Sequence, residues 1–246
     1  MPDSVKNNQL LKIINNRRSV RRFTEEPVRD EVFAAILEAG RMAPSTVNLQ
    51  TWSFVVFDND QWRAKFEHFI PFRGTRAVII LADTYRLRQI LDVFPYSPLV
   101  EHTAAVINAS LAAMNMNIAA EALGVSSIML SDTGQTGLFN TDFLIEKLEL
   151  PENVIPLMTM VFGYAKFDNL PVPPRLPIDQ VVFSGTYKAP DTAVLSDWVD
   201  QMEEGFKAMR PGFSFARQVE LYSNKMGEAE IALTKLVFYR GNKTSS

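Results

Sequence analysis

Strands alternating with helices predict a layered α/β or α+β domain, followed by a helical C-terminal extension. Three observations carry this. Short β-branched and aromatic runs stand at residues 53–57, 77–82, 127–130 and 155–162, separated by segments of helical periodicity. The composition is that of an ordinary globular chain, 47% hydrophobic and 22% charged. A length of 246 residues is ample for one large core.

Residues 4–16 read as a helix leading into a basic run. A second helix is expected over 30–43, with Val32, Phe33, Ile36, Leu37 and Gly40 on one face and Asp30 as its N-cap; Pro44 ends it. A helix around 61–69 separates the first two strands. A long apolar helix over 103–123 follows and stops at Gly124, a usual C-terminal cap. Asn108, Ser110, Asn115, Asn117 and Glu121 interrupt that helix and would be costly in hydrocarbon, so it reads as a buried helix rather than a membrane span. A further helix is expected over 141–148. Pro171, Pro173, Pro174 and Pro177 make the next stretch an extended arm. Beyond it, Leu195, Trp198, Met202, Phe206 and Met209 share a helical face. After Pro211-Gly212, a seam of Val219, Tyr222, Met226, Ala229, Leu233 and Leu236 reads as an amphipathic helix packed on the body. The chain divides into a main domain over 1–183 and a C-terminal helical extension over 184–246, packed on the body or on a partner subunit.

Composition excludes several chemistries. There are no cysteines, which removes disulfides, thiol nucleophiles, thiolate zinc sites and iron–sulfur clusters, and sits comfortably with a reducing cytoplasm. The first ten residues are polar, with no apolar core of a secretory signal. With 25 Lys and Arg against 28 Asp and Glu, a net charge of −3 argues against a nucleic-acid partner. Only His68 and His102 are present, in no metal-binding pattern, and phosphate-loop, dinucleotide and nucleophile-elbow motifs are missing. An enzyme of this composition would draw its reactive atoms from a bound cofactor.

Arg17, Arg18, Arg21 and Arg22 place four guanidinium groups within six residues. Arginine pairs bidentately with phosphate or carboxylate. On charge alone the run reads first as a solvated charge cluster or a surface salt-bridge set. If it is extended, Arg17, Ser19 and Arg21 share one side and Arg22 faces away. Further on, Ser45, Thr46, Asn48 and Gln50 crowd one loop with donors and acceptors suited to the edge of a planar ring, or to an ordinary capped loop.

Four motifs in order resemble those of the nitroreductase family of FMN enzymes. They are Arg17-Arg18-Ser19-Val20-Arg21-Arg22-Phe23, Ala43 through Trp52, Ala119-Ala120-Glu121-Ala122-Leu123-Gly124-Val125, and Phe162-Gly163-Tyr164 with the later Arg175-Leu176-Pro177. The resemblance spans roughly residues 10–183. It implies a central mixed β-sheet flanked by helices, and a domain-swapped-arm homodimer with FMN at the subunit interface. By the same resemblance Arg17 and Arg175 would contact the FMN phosphate, Arg18 and Ser19 the phosphate and ribityl region, and Arg21 the N1 and O2 edge of the ring. Pro44, Ser45, Thr46 and Asn48 would come from the other subunit, and Leu130 and Ser131 would lie near N5 and O4.

The activity implied is ping-pong hydride transfer. NAD(P)H is the co-substrate, a nitro compound, quinone or similar small molecule is the acceptor, and flavin N5 carries the chemistry without a catalytic side chain. Relatives on this scaffold that dehalogenate, dehydrogenate or fragment flavin are an alternative, as is a flavin-binding protein without turnover. A cytoplasmic protein with no nucleic-acid, membrane or metal partner is expected. The chain departs from the family pattern at Thr51, where proline is usual, at Ser131, where glycine is common, and at Pro173, where relatives often carry a second basic residue. Residues 69–72 and 85–98 are expected to shape the cavity, with Phe94 and Tyr96 as core or dimer aromatics.

Overall fold

Two apolar runs, 77–82 and 155–162, form the middle of the sheet because neither alternates: both faces of each strand must be covered. In the computed structural model β1 (Trp52–Phe57), β2 (Arg76–Asp83), β3 (Ser126–Leu130) and β4 (Val154–Gly163) form a sheet of order β1-β2-β4-β3. The structure describes residues 5, 7–131, 141–167, 170–209, 212 and 214–239. Ser4, Lys6, Pro211 and the Met209 side chain, which entered the helix expectations, lie outside the described residues.

All three ladders are antiparallel. The parallel component of the expected mixed sheet is one bridge, between Ser19 and Ser127. Pro156 lies in a central strand, where its missing N–H would break a ladder bond; it falls at the register shift between Ile80 and Leu81, which absorbs the gap.

The helices are α1 (Gln9–Asn16), α2 (Asp30–Arg41), α3 (Asn59–Phe66), the single turn α4 (Tyr85–Arg88), α5 (Pro98–Ala122), α6 (Thr141–Leu148), α7 (Thr192–Met209) and α8 (Phe215–Thr234). A π-helical turn over Lys235–Tyr239 follows α8. Three boundaries differ from expectation, each for a local reason. Asp30 is the first helical residue of α2 and Arg29 holds the cap position without a side-chain bond, since arginine has no acceptor to offer. α3 begins two residues early because Asp58 and Gln61 form a reciprocal capping box, and it stops where Glu67 turns left-handed. α5 begins at Pro98, a residue suited to a first helical turn. Gly124, at φ +73°, ends the α5 segment as expected.

α5 is apolar on both sides, and the two sides differ in residue size. Ala105, Ala109, Ala112, Ala113, Met116 and Ala120 are buried against the sheet and α2. Val100, Ile107, Leu111 and Met114 are exposed. Gly40 permits the close α2–α5 approach, since a methyl group there would overlap the Met116 side chain. Tyr96 is fully exposed at φ +56°, so it is not a core aromatic of this chain.

By compactness the chain groups into Met1–Asp168 with Glu228–Ser246, and Asn169–Gly227. In the second unit residues 170–177 are without regular structure, as the prolines require, and the Trp198 indole donates to the Pro174 carbonyl at 3.3 Å. The seam of α8 divides along its length. Val219, Tyr222 and Met226 are exposed, whereas Ala229 and Leu236 are buried. Among the described residues no helix is long and apolar enough to cross a membrane.

Candidate functional site

The basic run lies along one end of the sheet, held there by backbone pairing. The Val20 N–H donates to the Ser127 carbonyl at 3.1 Å, and Ser19 bridges Ser127 in parallel register. Downstream, the Thr24 N–H donates to the Tyr164 carbonyl at 2.8 Å and the Lys166 N–H to the Arg22 carbonyl at 2.9 Å. Between these points Phe23 is buried, and a Cβ added at Gly163 would stand 2.9 Å from its ring. The phenylalanine that closes the first motif and the glycine of the fourth are therefore one packing contact. Val20 and Phe23 form the buried side of the segment, three residues apart, which breaks strict alternation.

That anchoring leaves the arginines to the surface. Arg17 and Arg18 are half-buried; Ser19, Arg21 and Arg22 are exposed. Arg18 donates to the carbonyls of Asn15 at 2.7 Å and Arg17 at 2.9 Å. Arg22 lies 5.8 Å from the Phe167 ring centre, a surface role in line with its expected outward direction. Among the described residues, neither Arg17 nor Arg21 has a side-chain hydrogen bond or ion pair. Two unpaired guanidinium groups in a net-acidic chain are a donor set suited to an anion.

The loop after α2 is a second surface feature, and its backbone is strained. Val47, Asn48 and Gln50 all have left-handed φ, at 50°, 57° and 49°. A β-branched residue rarely adopts that geometry, and Val47 is 86% exposed, so no burial of its side chain offsets the cost. Asn108 of α5 holds the loop in place. Its Oδ1 accepts from the Thr46 N–H at 3.1 Å and from the Thr46 hydroxyl at 3.3 Å, while its Nδ2 donates to the Thr51 hydroxyl at 2.8 Å. The Ser45 hydroxyl accepts from the Gln50 N–H at 3.0 Å. Ser45 and Thr46 thus spend part of their hydrogen-bonding capacity inside the loop, and the tip at Pro44, Val47 and Asn48 is exposed. Thr51, where the family pattern carries proline, is fully buried and supplies the hydroxyl that Asn108 needs.

Near the arginines, α5 presents two more polar side chains. Asn117 is buried and donates through Nδ2 to the Ser127 hydroxyl at 2.7 Å, and its Oδ1 has no partner among the described residues. Glu121 follows one turn later on the same face. Burial pushes its carboxyl above the ordinary range, against the opposing pull of Arg17 and Arg18. The sequence motifs assign none of Asn108, Asn117 and Glu121 to the site. The signal was present in the sequence, since each interrupts an otherwise apolar helix.

The remaining expected residues are placed as follows. Leu130 ends β3 opposite Thr159, and both Leu130 and Ser131 are half-buried. Arg175 is exposed on the extended segment of the second unit. A separate cavity of about 300 Å³ opens at the opposite end of the sheet, among Thr84, Arg88, Glu101, His102 and Asn153. There Arg88 pairs with Glu101, which also accepts from the Thr84 hydroxyl. His102 is half-buried, its Nδ1 has no partner among the described residues, and desolvation lowers its pKa in spite of Glu101.

The model of the nitroreductase family matches residues 14–71 and 71–164. The oxygen-insensitive NADPH nitroreductase of Salmonella typhimurium is 28% identical over 202 residues, covering 79% of this chain and 81% of the relative. The FMN reductase (NAD(P)H) of Bacillus subtilis is 29% identical over 214 residues, covering 80% and 82%. Among solved structures, the hypothetical oxidoreductase YcnD from Bacillus subtilis superposes with a TM-score of 0.79 at 22% identity, covering 95% of this chain and 98% of that one. At that identity the likeness is one of fold.

Proposed function

The chain belongs to the nitroreductase family, and from that premise we propose that it is an FMN-dependent oxidoreductase using NAD(P)H to reduce nitro compounds, quinones or similar small acceptors. The observation that carries the reading is the anchored arm. Segment 19–24 is bonded to β3 and to the residues after β4, and it leaves Arg17 and Arg21 without partners among the described residues. FMN fits this donor set, with the phosphate for Arg17 and the N1 and O2 edge of the ring for Arg21: a planar, permanently charged fork binds anionic oxygen well.

When bound, FMN supplies the reactive N5 that accepts hydride from NAD(P)H and passes it to the acceptor. The chain's own part is binding and electrostatics. Arg17 and Arg175 hold the phosphate, with Arg18 and Ser19 against the phosphate and ribityl region. Arg21 offers positive charge at the N1 and O2 edge, where reduction builds negative charge, and a partly desolvated site strengthens that attraction. Leu130 and Ser131 border the N5 and O4 side. Pro44, Ser45, Thr46 and Asn48 reach the flavin of a second subunit.

The last assignment requires a homodimer, and α5 supports one. Val100 at 63% exposure, Ile107 at 53%, Leu111 at 41% and Met114 at 47% form a row of large apolar side chains facing outward. A row of this kind marks an association surface. The exposed, Asn108-held tip of the 44–50 loop is the segment that such a partner would meet. We read residues 1–183 as the flavin-binding region and 184–246 as an extension whose end, Glu228–Ser246, groups with Met1–Asp168, and we place the protein in the cytoplasm.

The test is direct. Purified protein is expected to be yellow, with a flavin spectrum, and to oxidise NADH or NADPH when a nitroaromatic or a quinone is supplied. A colourless protein that takes up no added FMN overturns the proposal.

A further inference from the structure

The end of α3 and the turn after it bring two guanidinium groups onto one exposed ring. The Arg73 guanidinium carbon lies 3.6 Å from the Phe69 ring centre, and that of Arg63 lies 5.0 Å from it. Both arginines are exposed, as are Phe69 and the neighbouring Phe72. Among the described residues neither arginine side chain has a hydrogen-bond acceptor or an ion pair. Asp60 and Glu67, near in the chain, pair with neither. Arg76 is the contrast: it stands 5.3 Å from the Phe33 ring centre and pairs with Asp30.

The backbone holds this pair in place at a cost. Phe72 and Arg73 are consecutive left-handed residues, at φ 58° and 61°, a geometry rare for either residue type. The turn is pinned on both sides. Ile70 is buried and its carbonyl accepts from the Arg73 N–H at 3.1 Å, while a Cβ at Gly74 would overlap the Val161 side chain. The Thr75 N–H then donates to the Phe162 carbonyl at 2.9 Å. The flavin arm is bonded two residues further along, through the Thr24 N–H to the Tyr164 carbonyl, so both segments border the same end of β4. A guanidinium stacked on a ring keeps its N–H edge free and loses little freedom when that edge meets an anion. Two such edges around one ring suit the double charge of a phosphate monoester.

We propose that Arg63 and Arg73, stacked on Phe69, form a phosphate-monoester site separate from the flavin arm. Two sources share that chemistry, the 2′-phosphate of NADPH and the phosphate of a free nucleotide. The first source rests on the NAD(P)H reading above and makes the site a determinant of coenzyme choice, since NADH lacks that phosphate. Phe72 adds an exposed ring on which the base of either molecule can stack.

The experiment is calorimetric titration of 2′-AMP into the FMN-loaded protein, paired with steady-state oxidation of NADPH and NADH. Wild type is expected to bind 2′-AMP, and Arg63→Ala and Arg73→Ala each to bind it about tenfold more weakly. Arg29→Ala removes an exposed arginine elsewhere and is expected to bind like wild type. With the coenzyme as source, Arg63→Ala and Arg73→Ala raise the KM for NADPH about tenfold and leave that for NADH unchanged. With a free nucleotide as source, 2′-AMP binding falls and the kinetics of both coenzymes stay as in wild type, which also upholds the site. A wild type that does not bind 2′-AMP overturns the proposal, as do Arg63→Ala and Arg73→Ala proteins that bind it like wild type. An equal loss in Arg29→Ala overturns it too, since diffuse charge would then account for the binding. So does loss of FMN from Arg63→Ala or Arg73→Ala, which would give these arginines to the flavin. A wild type that takes up no FMN, or oxidises neither coenzyme, overturns the reading of function itself, a result distinct from all of these.

Discussion

Asn108 donates to the Thr51 hydroxyl at 2.8 Å, joining the middle of the long helix to the residue that enters the first strand. The same amide accepts from Thr46 at 3.1 Å, so one buried side chain holds both ends of the strained 46–51 segment. Thr51 stands where the family pattern has proline, and its hydroxyl gives Asn108 an acceptor that a proline ring could not.

Asn108→Ala removes that anchor and leaves the Thr46 N–H and the buried Thr51 hydroxyl without these bonds. A loss of about 1–3 kcal/mol in unfolding free energy is expected, measured by denaturant titration of the flavin-free protein. FMN retention on a desalting column should fall with it. Wild-type stability in the variant would show that the loop holds its shape without the amide.

Arg17 and Arg22 belong to the same basic run and are expected to behave differently. Arg17→Ala should weaken FMN binding by about 1.5–3 kcal/mol, the loss of one charge-assisted hydrogen bond. Arg22→Ala should leave binding within about 0.5 kcal/mol, because Arg22 is exposed beside Phe167. Fluorescence quenching of free FMN measures both. Equal losses would return the run to a diffuse charge cluster.

A charge placed in the apolar row of α5 tests the dimer. Leu111 is 41% exposed and Ile107 53%, so Leu111→Glu and Ile107→Glu leave the sheet core intact. Sedimentation is expected to show a dimer for the native sequence and a shift to monomer for the substituted proteins, with loss of bound flavin. A native protein that sediments as a monomer removes the two-subunit site.

His102 predicts a loss of stability in acid. Desolvation lowers its pKa below 6.5, so the unfolded chain binds a proton more readily than the folded one. Its contribution to stability is intact above pH 6.5 and is lost as pH falls from there toward the lowered folded value. Replacement by Gln, which cannot titrate, should flatten that part of the stability curve, measured by thermal melts between about pH 7 and about pH 5. An unchanged slope would assign the acid sensitivity to other groups.

How far the site was legible depended on the range of the interaction. The unbroken run 77–82 reads as a central strand because local apolarity is what a buried strand requires, and Gly124 reads as a cap because few residues tolerate its backbone angle. The four arginines of the basic run were visible as charge. Their direction was not, since it depends on Phe23 packing against Gly163, some 140 positions away. The start of the helix 98–122 is not legible in the sequence, because periodicity carries little signal when both faces are apolar.

The sequence by itself determined the strands, the family motifs and the concentration of four arginines in a chain without nucleophilic thiols. These depend on residue type and on neighbours near in the chain. The tertiary structure alone decided which polar groups of α5 matter. Asn108 and Asn117 are interruptions of an apolar helix until folding sets Asn108 against Thr46 and Thr51, and Asn117 against Ser127. The physical reason is that a side-chain hydrogen bond or a charge contact acts over a few ångströms of space, whatever the distance along the chain.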